Sequence, residues 1–286
     1  MRWKGRRSSR NIEDRRTQTG MRRGGKAGGI GGVGLIAVLV IGYFLGVDVT
    51  PLLQSGGGGQ VASGGGQITE ADQQAGKFVS VVLADTEEVW AEIFKDQLNR
   101  AYQPATLVLF KGGTQSPCGG ASGASGPFYC PADKKAYLDT EFFTTLSRRL
   151  GASGDFAAAY VVAHEISHHV QNELGILGKA NEVRQQVSEA ESNAISVRIE
   201  LQADCLSGVW ARYAQARFNS LENGDLKEAV NAAKQIGDDT LQRNAGQRPN
   251  PHSFTHGTSE QRQRWFATGY EKATVQSCDT FRTDRL

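Results

Sequence analysis

The string A-H-E-I-S-H-H at Ala163–His169, preceded by the apolar run Ala157–Val162, constrains this chain more than any other feature. Residues four apart share one face of a helix, so His164 and His168 can present their imidazoles to a single point. Two imidazoles at this spacing form half of a zinc site, and the glutamate between them supplies what hydrolysis needs. A zinc ion lowers the pKa of water towards about 7, and a neighbouring carboxylate can accept the proton as a polarised carbonyl is attacked. The spacing therefore predicts a helix over 156–171, with His164 and His168 as ligands and Glu165 as general base. A purely structural metal site has no use for Glu165. His169, offset by one residue, points away from the metal and is assigned to packing.

A catalytic zinc needs a third protein ligand and an open position. A glycine three residues after His168 and a histidine three further on would mark one class of zinc peptidase. Gln171 and Leu174 stand there, so that class is excluded. Downstream, E-L-Q-A-D places Glu200 and Asp204 on one helix face. Glu200 is the expected third ligand, and Asp204 is expected to orient a ligand imidazole, that of His164, by accepting its second N–H. Glu189, Glu191, His252 and His256 are the alternatives for metal binding. Neither Glu189 nor Glu191 has an Asp four residues on. His256, in the loop-like S-F-T-H-G-T-S-E-Q-R, is the candidate for stabilising an oxyanion. His252 competes for that role. Tyr160, one turn before His164, is assigned to core packing over lining the cleft.

The remaining sequence suggests how such a site is housed. Residues 1–29 hold ten Lys or Arg against Glu13 and Asp14, and an uncharged stretch of eighteen residues follows at 30–47. At 1.5 Å per residue this reaches about 27 Å, near the minimum for one bilayer crossing. The expectation is a basic cytoplasmic tail at 1–29, a transmembrane helix at 30–47, a Gly/Ser-rich linker at 48–68 and a catalytic domain at 69–286 outside the cytoplasm. The apolar neighbour also argues against reading the basic tail as a nucleic-acid arm, so no nucleic-acid partner is expected. Cys118, Cys130, Cys205 and Cys278 all follow the span, where two disulfides can form. Of three pairings, Cys118 with Cys130 would close the flexible loop between them, leaving Cys205 for Cys278.

Apolar periodicity predicts a helix over 70–102 interrupted near Asp85 and Thr86, strands at 105–110 and 135–139, and helices over 156–171, 181–218 and 226–244. The fold class is α+β, mostly helical with a small sheet.

A-H-E-I-S-H-H-V-Q, E-L-Q-A-D-C, S-F-T-H-G-T-S-E-Q-R and G-P-F-Y-C-P-A-D before K-A-Y-L-D together resemble the bacterial neutral zinc metallopeptidase family, over nearly the whole chain. The wider resemblance is to gluzincins, in which H-E-x-x-H is joined by a Glu on a following helix. It implies a zincin-like domain binding one Zn2+, a peptide or protein substrate, and an extended substrate paired with the edge of the small sheet. The stretch T-H-G-T-S-E-Q-R is also similar to the T-H-P-x-x-x-x-R of membrane-bound CAAX-protease-like gluzincins, with Gly257 in place of proline. The competing expectation is a non-catalytic membrane-tethered scaffold that keeps the fold and its zinc.

Overall fold

Alternation along Thr106–Phe110 shows why a sheet forms at the centre of a mostly helical chain. Leu107 and Leu109 face the main core, while Val108 and Phe110 face a second cluster with Tyr137 and Cys130. Both faces are covered, as a buried parallel strand requires. The computed structural model describes residues 1–18, 67–122 and 126–286. Its strands are β1 (Ile12–Asp14), β2 (Thr106–Phe110), β3 (Gly113–Ser116), β4 (Gly119–Ser122), β5 (Phe128–Cys130) and β6 (Lys135–Asp139). Four of them form a sheet in the order β1-β2-β6-β5, parallel except for the antiparallel β6–β5 pair, and β3 and β4 form a separate hairpin.

The helices are α1 (Glu70–Leu98), α2 (Phe142–Arg148), α3 (Asp155–Glu173), α4 (Ile176–Arg184), α5 (Glu189–Phe218), α6 (Asp225–Gln235), α7 (Asp238–Asn244) and α8 (Ser259–Lys272). Three sequence expectations need correction here. The break expected near Asp85 and Thr86 is absent, because each residue finds a polar partner while α1 runs on unbroken. Thr86 Oγ1 donates to the Leu83 carbonyl at 2.7 Å, and Asp85 is paired with Arg6 at 2.6 Å. The single helix expected over 181–218 is two, since Ser188 and Glu191 form a capping box that starts α5 afresh. The helix expected over 226–244 divides at Gly237, where an added Cβ would lie 2.4 Å from the backbone nitrogen of Ser259. The loop expected between Cys118 and Cys130 holds β4 and most of β5, and both disulfides pair as favoured, Cys118–Cys130 and Cys205–Cys278.

The expected boundary between a basic tail and a catalytic domain is also corrected. Residues 1–18 belong to the folded body: β1 pairs with β2, Ile12 opposite Leu107, and Trp3 packs edge-on against Phe78 with ring centroids 5.4 Å apart. Arg7 meets Glu88 at 2.8 Å, and Lys135 reaches Glu13 at 2.7 Å. The stretch 30–47 read as a membrane span lies outside the described residues. Among the described residues no helix is long and apolar enough to cross a membrane.

Burial pushes the Asp85 carboxyl up to about 7, with Arg6 and Arg7 opposing the rise and Glu88 adding to it. Because this folded value exceeds the ordinary value of 3.8, the native state binds the proton more tightly than the unfolded chain. Stability from this group is therefore present at low pH and lost as pH climbs from about 4 to about 7, by at most about 4 kcal/mol. Asp85→Asn is expected to flatten that part of a stability-versus-pH profile, and parallel profiles for parent and variant would contradict it.

Helices α5 and α8 approach each other through glycine. A Cβ on Gly208 would lie 2.1 Å from the Phe266 carbonyl oxygen, and one on Gly269 would lie 1.8 Å from that of Cys205. Gly269→Ala is expected to force the helices apart and cost about 3 kcal/mol, lowering the melting temperature by roughly 6–12 °C. An unchanged melting temperature would mean the contact is dispensable.

Candidate active site

Two helices carry the central constellation. Helix α3 is buried from Phe156 to Ser167, which fixes the rotation that aims its polar residues at α5. It ends at Gly175, whose φ of 76° lets the chain turn away. The structure brings His164, His168 and Glu200 together, one ligand atom of each lying within 4.8 Å of the others. His164 Nε2 is 3.1 Å from Glu200 Oε2, and His168 Nε2 is 3.5 Å from Glu200 Oε1.

The opposite edge of each imidazole is held as well. His164 Nδ1 lies 2.9 Å from Asp204 Oδ1, a close ionic contact off the ideal hydrogen-bond direction. His168 Nδ1 lies 2.8 Å from Gln171 Oε1, and the Gln171 amide donates to the Ile199 carbonyl at 2.8 Å and to Gln202 at 3.0 Å. Asp204 is buried and receives both Nε and Nη2 of Arg262, at 2.8 and 3.0 Å, together with the Tyr160 hydroxyl. Arg262 also donates to Tyr160 at 3.2 Å and to the Ile236 carbonyl at 3.2 Å.

The electrostatics follow from this packing. Burial opposes a charged His164, yet Asp204 and Glu200 outweigh it and raise its pKa to about 10. Burial works against the Glu200 and Asp204 carboxylates too; His168, His256 and His164 nevertheless hold Glu200 far below the usual range, and Arg262 and His164 hold Asp204 down. Glu165 is shifted up by burial, with His164 and His168 pulling the other way. A raised carboxyl pKa suits a general base. The donor set fits zinc: two imidazole nitrogens and the half-buried carboxylate of Glu200 converge on one point.

His256 comes to the same region from the loop before α8. Asp238, itself buried, accepts backbone N–H groups from Thr255, His256 and Gly257 at 2.8, 2.7 and 3.0 Å, and lies 3.2 Å from His256 Nδ1. Burial lowers the His256 pKa, but Asp238 and Glu200 more than offset it. His252 is instead exposed in a short 3-10 turn, where its carbonyl accepts from Asn193 at 3.0 Å. Glu189 and Glu191 are exposed at the start of α5, and Glu191 caps its own helix. His169 faces away from the cluster. It lies 2.6 Å from the Gln103 carbonyl and 3.0 Å from the Tyr129 hydroxyl, tying β5 to α3.

Sequence reasoning missed Arg262, Gln171 and Asp238. Gln171 sits three residues after His168, a spacing that signals contact on a helix. Arg262 closes the T-H-G-T-S-E-Q-R stretch, but nothing local signalled its partner Asp204, 58 residues away, and Asp238 had no local signal, its partner His256 lying 18 residues on.

A family model described as "Putative neutral zinc metallopeptidase" matches residues 1–281. The chain is similar to Escherichia coli (strain K12) YpfJ, 46% identical over 287 residues covering 98% of this chain and 99% of that one. It is also similar to Mycobacterium tuberculosis (strain H37Rv) Rv2575, 42% identical over 217 residues and 72% of each chain. No solved structure matches it significantly. With nearly the whole chain matched and the two histidines and Glu200 gathered at one point, this protein belongs to the neutral zinc metallopeptidase family.

Proposed function

We propose that this protein hydrolyses peptide bonds outside the cytoplasm, with His164, His168 and Glu200 holding one zinc ion and Glu165 acting as general base. The observation that carries the reading is the convergence of these three donors beside a buried carboxyl whose pKa is raised. When bound there, zinc would polarise the scissile carbonyl and acidify a water molecule. Glu165 accepts the proton from the attacking water and passes it to the departing amine. Asp204, itself held by Arg262 and Tyr160, keeps the His164 ring oriented so that Nε2 faces the metal position.

His256 donates from Nε2 to the oxyanion in this reading, which the contact of Asp238 on its Nδ1 side supports. Loss of such a donor costs about 10²-fold or more in kcat, the expected result for His256→Ala. A variant with unchanged kcat would remove His256 from the mechanism.

Strand β5 supports a mode of substrate binding. Among the described strands it pairs only with β6, which leaves its outer edge for an extended peptide. Tyr129 on β5 is joined to His169 on α3, so this edge is registered against the helix that bears the metal ligands. Backbone pairing of this kind selects for extended, unfolded protein segments. The two disulfides favour an oxidising compartment. Attachment to a membrane through the uncharged stretch 30–47 is part of the same proposal.

The test is to purify the full chain, measure its zinc and follow cleavage of casein with and without a chelator. One zinc per chain, with cleavage lost on chelation and restored by zinc, is expected. A zinc-loaded protein inert towards casein and a broad peptide library would sink the peptidase reading, and a chain that takes up no zinc would sink the metal site.

A further inference from the structure

Residues 1–18 raise a question of membrane sidedness that goes beyond the peptidase reading. They are integral to the fold. The backbone of β1 is locked to β2, with Leu107 N–H donating to the Asn11 carbonyl at 2.9 Å and Arg15 N–H to the Leu109 carbonyl at 2.7 Å. Ser9 N–H donates to the Ser80 carbonyl at 2.8 Å, which ties the same segment to α1. Met1 is buried in the main core, and Trp3 and Ile12 pack against it. The family match also begins at residue 1, so this segment is part of the shared pattern.

The basic residues of the segment are engaged by the fold. Arg6 pairs with Asp85 at 2.6 Å, and Arg7 with Glu88 at 2.8 Å and Glu87 at 3.1 Å. Arg15 pairs with Glu13 at 2.7 Å, and Arg16 pairs with Asp14. A positive-inside argument counts Lys and Arg as topological signals acting near a span. Here four of the ten Lys or Arg of residues 1–29 have carboxylate partners, a structural reason to be present that is separate from topology.

The two ends of residues 19–66 also leave and rejoin the body at one place. Arg16 donates to the main-chain carbonyl of Asp72, and Lys111 bridges the Asp72 carboxylate at 2.7 Å and the Gln67 carbonyl at 3.2 Å. Strand pairing and a hydrophobic core cannot form between segments separated by a bilayer.

Resting on the membrane attachment proposed above, we infer that residues 1–18 lie on the same side of the membrane as the disulfide-bonded catalytic domain.

Exposed positions at the two ends report the sidedness: Lys4→Cys and Ser8→Cys in the N-terminal segment, and Arg285→Cys near the C-terminus. The four native cysteines are paired, so a membrane-impermeant maleimide reads only the introduced thiol. Each variant is made in the full chain, screened for both disulfides on a non-reducing gel, and labelled in intact spheroplasts and after lysis. Equal labelling of all three before lysis is the expected result. Labelling of Arg285→Cys before lysis, with Lys4→Cys and Ser8→Cys reacting only after it, would overturn the inference and restore a single crossing. If all three react only after lysis, the shared side stands and the extracytoplasmic placement fails instead. None of these outcomes depends on peptidase activity.

Discussion

Glu165→Gln is expected to leave a folded, zinc-loaded protein that cleaves casein at least about 10³-fold more slowly than the parent. The amide keeps nearly the size and shape of the carboxylate but cannot accept a proton, and general base catalysis is typically worth about 10²–10⁴-fold. Glu165 is not among the three converging donors, so metal content should not change. That separation makes the variant informative. Loss of zinc along with activity would mean that Glu165 supports the metal site, whereas retained activity would move the general base elsewhere. His164→Ala gives the contrast, because it removes a donor and should lose zinc and activity together.

Arg262→Ala is expected to cost about 3–5 kcal/mol of stability, which for a chain of this size lowers the melting temperature by roughly 6–20 °C. Arg262 and Asp204 are both buried, at 2% and 0% side-chain exposure, so removing the guanidinium strands a carboxylate that water cannot reach. The Tyr160 hydroxyl and His164 remain as its partners. Because all four groups form one network, Arg262→Ala and Asp204→Ala should not add: the loss in the double variant should fall well below the sum of the two single losses. Additive losses, or a single loss under about 1 kcal/mol, would mean that the network does not brace the site. Lost Asp204 charge should also loosen the His164 ring, so the alanine variants should bind zinc more weakly even at temperatures where they remain folded.

These two variants differ in what made them visible. Glu165 is legible from the sequence because H-E-x-x-H places its parts within one helical turn, where spacing alone fixes which residues share a face. The same holds for Glu200 and Asp204 on α5. The link between the two pairs spans the 36 residues from His164 to Glu200, and it was predicted by matching the chemistry of two helix faces, not by any local pattern. Gln171, three residues past His168, lay within reach of the same helical reasoning but was used only to exclude another class.

The sequence by itself determined the helix that carries His164, Glu165 and His168, the two central strands, the mostly helical α+β class and the family. Each of these rests on short-range periodicity or on contiguous motifs, in which backbone geometry dictates neighbours. Only the tertiary structure decided that Arg262 braces Asp204, that Asp238 holds His256, and that α5 and α8 meet through Gly208 and Gly269. It also decided that the N-terminal segment contributes a strand, Ile12–Asp14, beside β2 and pairs its flanking arginines with the body. Composition favoured the tail because charge is read without knowing its partners, and the carboxylates of Asp85, Glu87 and Glu88 that pair with Arg6 and Arg7 lie some 80 residues away. Parallel strand pairing and buried ion pairs join segments at separations that no sequence period encodes, and they form only once the chain has closed its long loops.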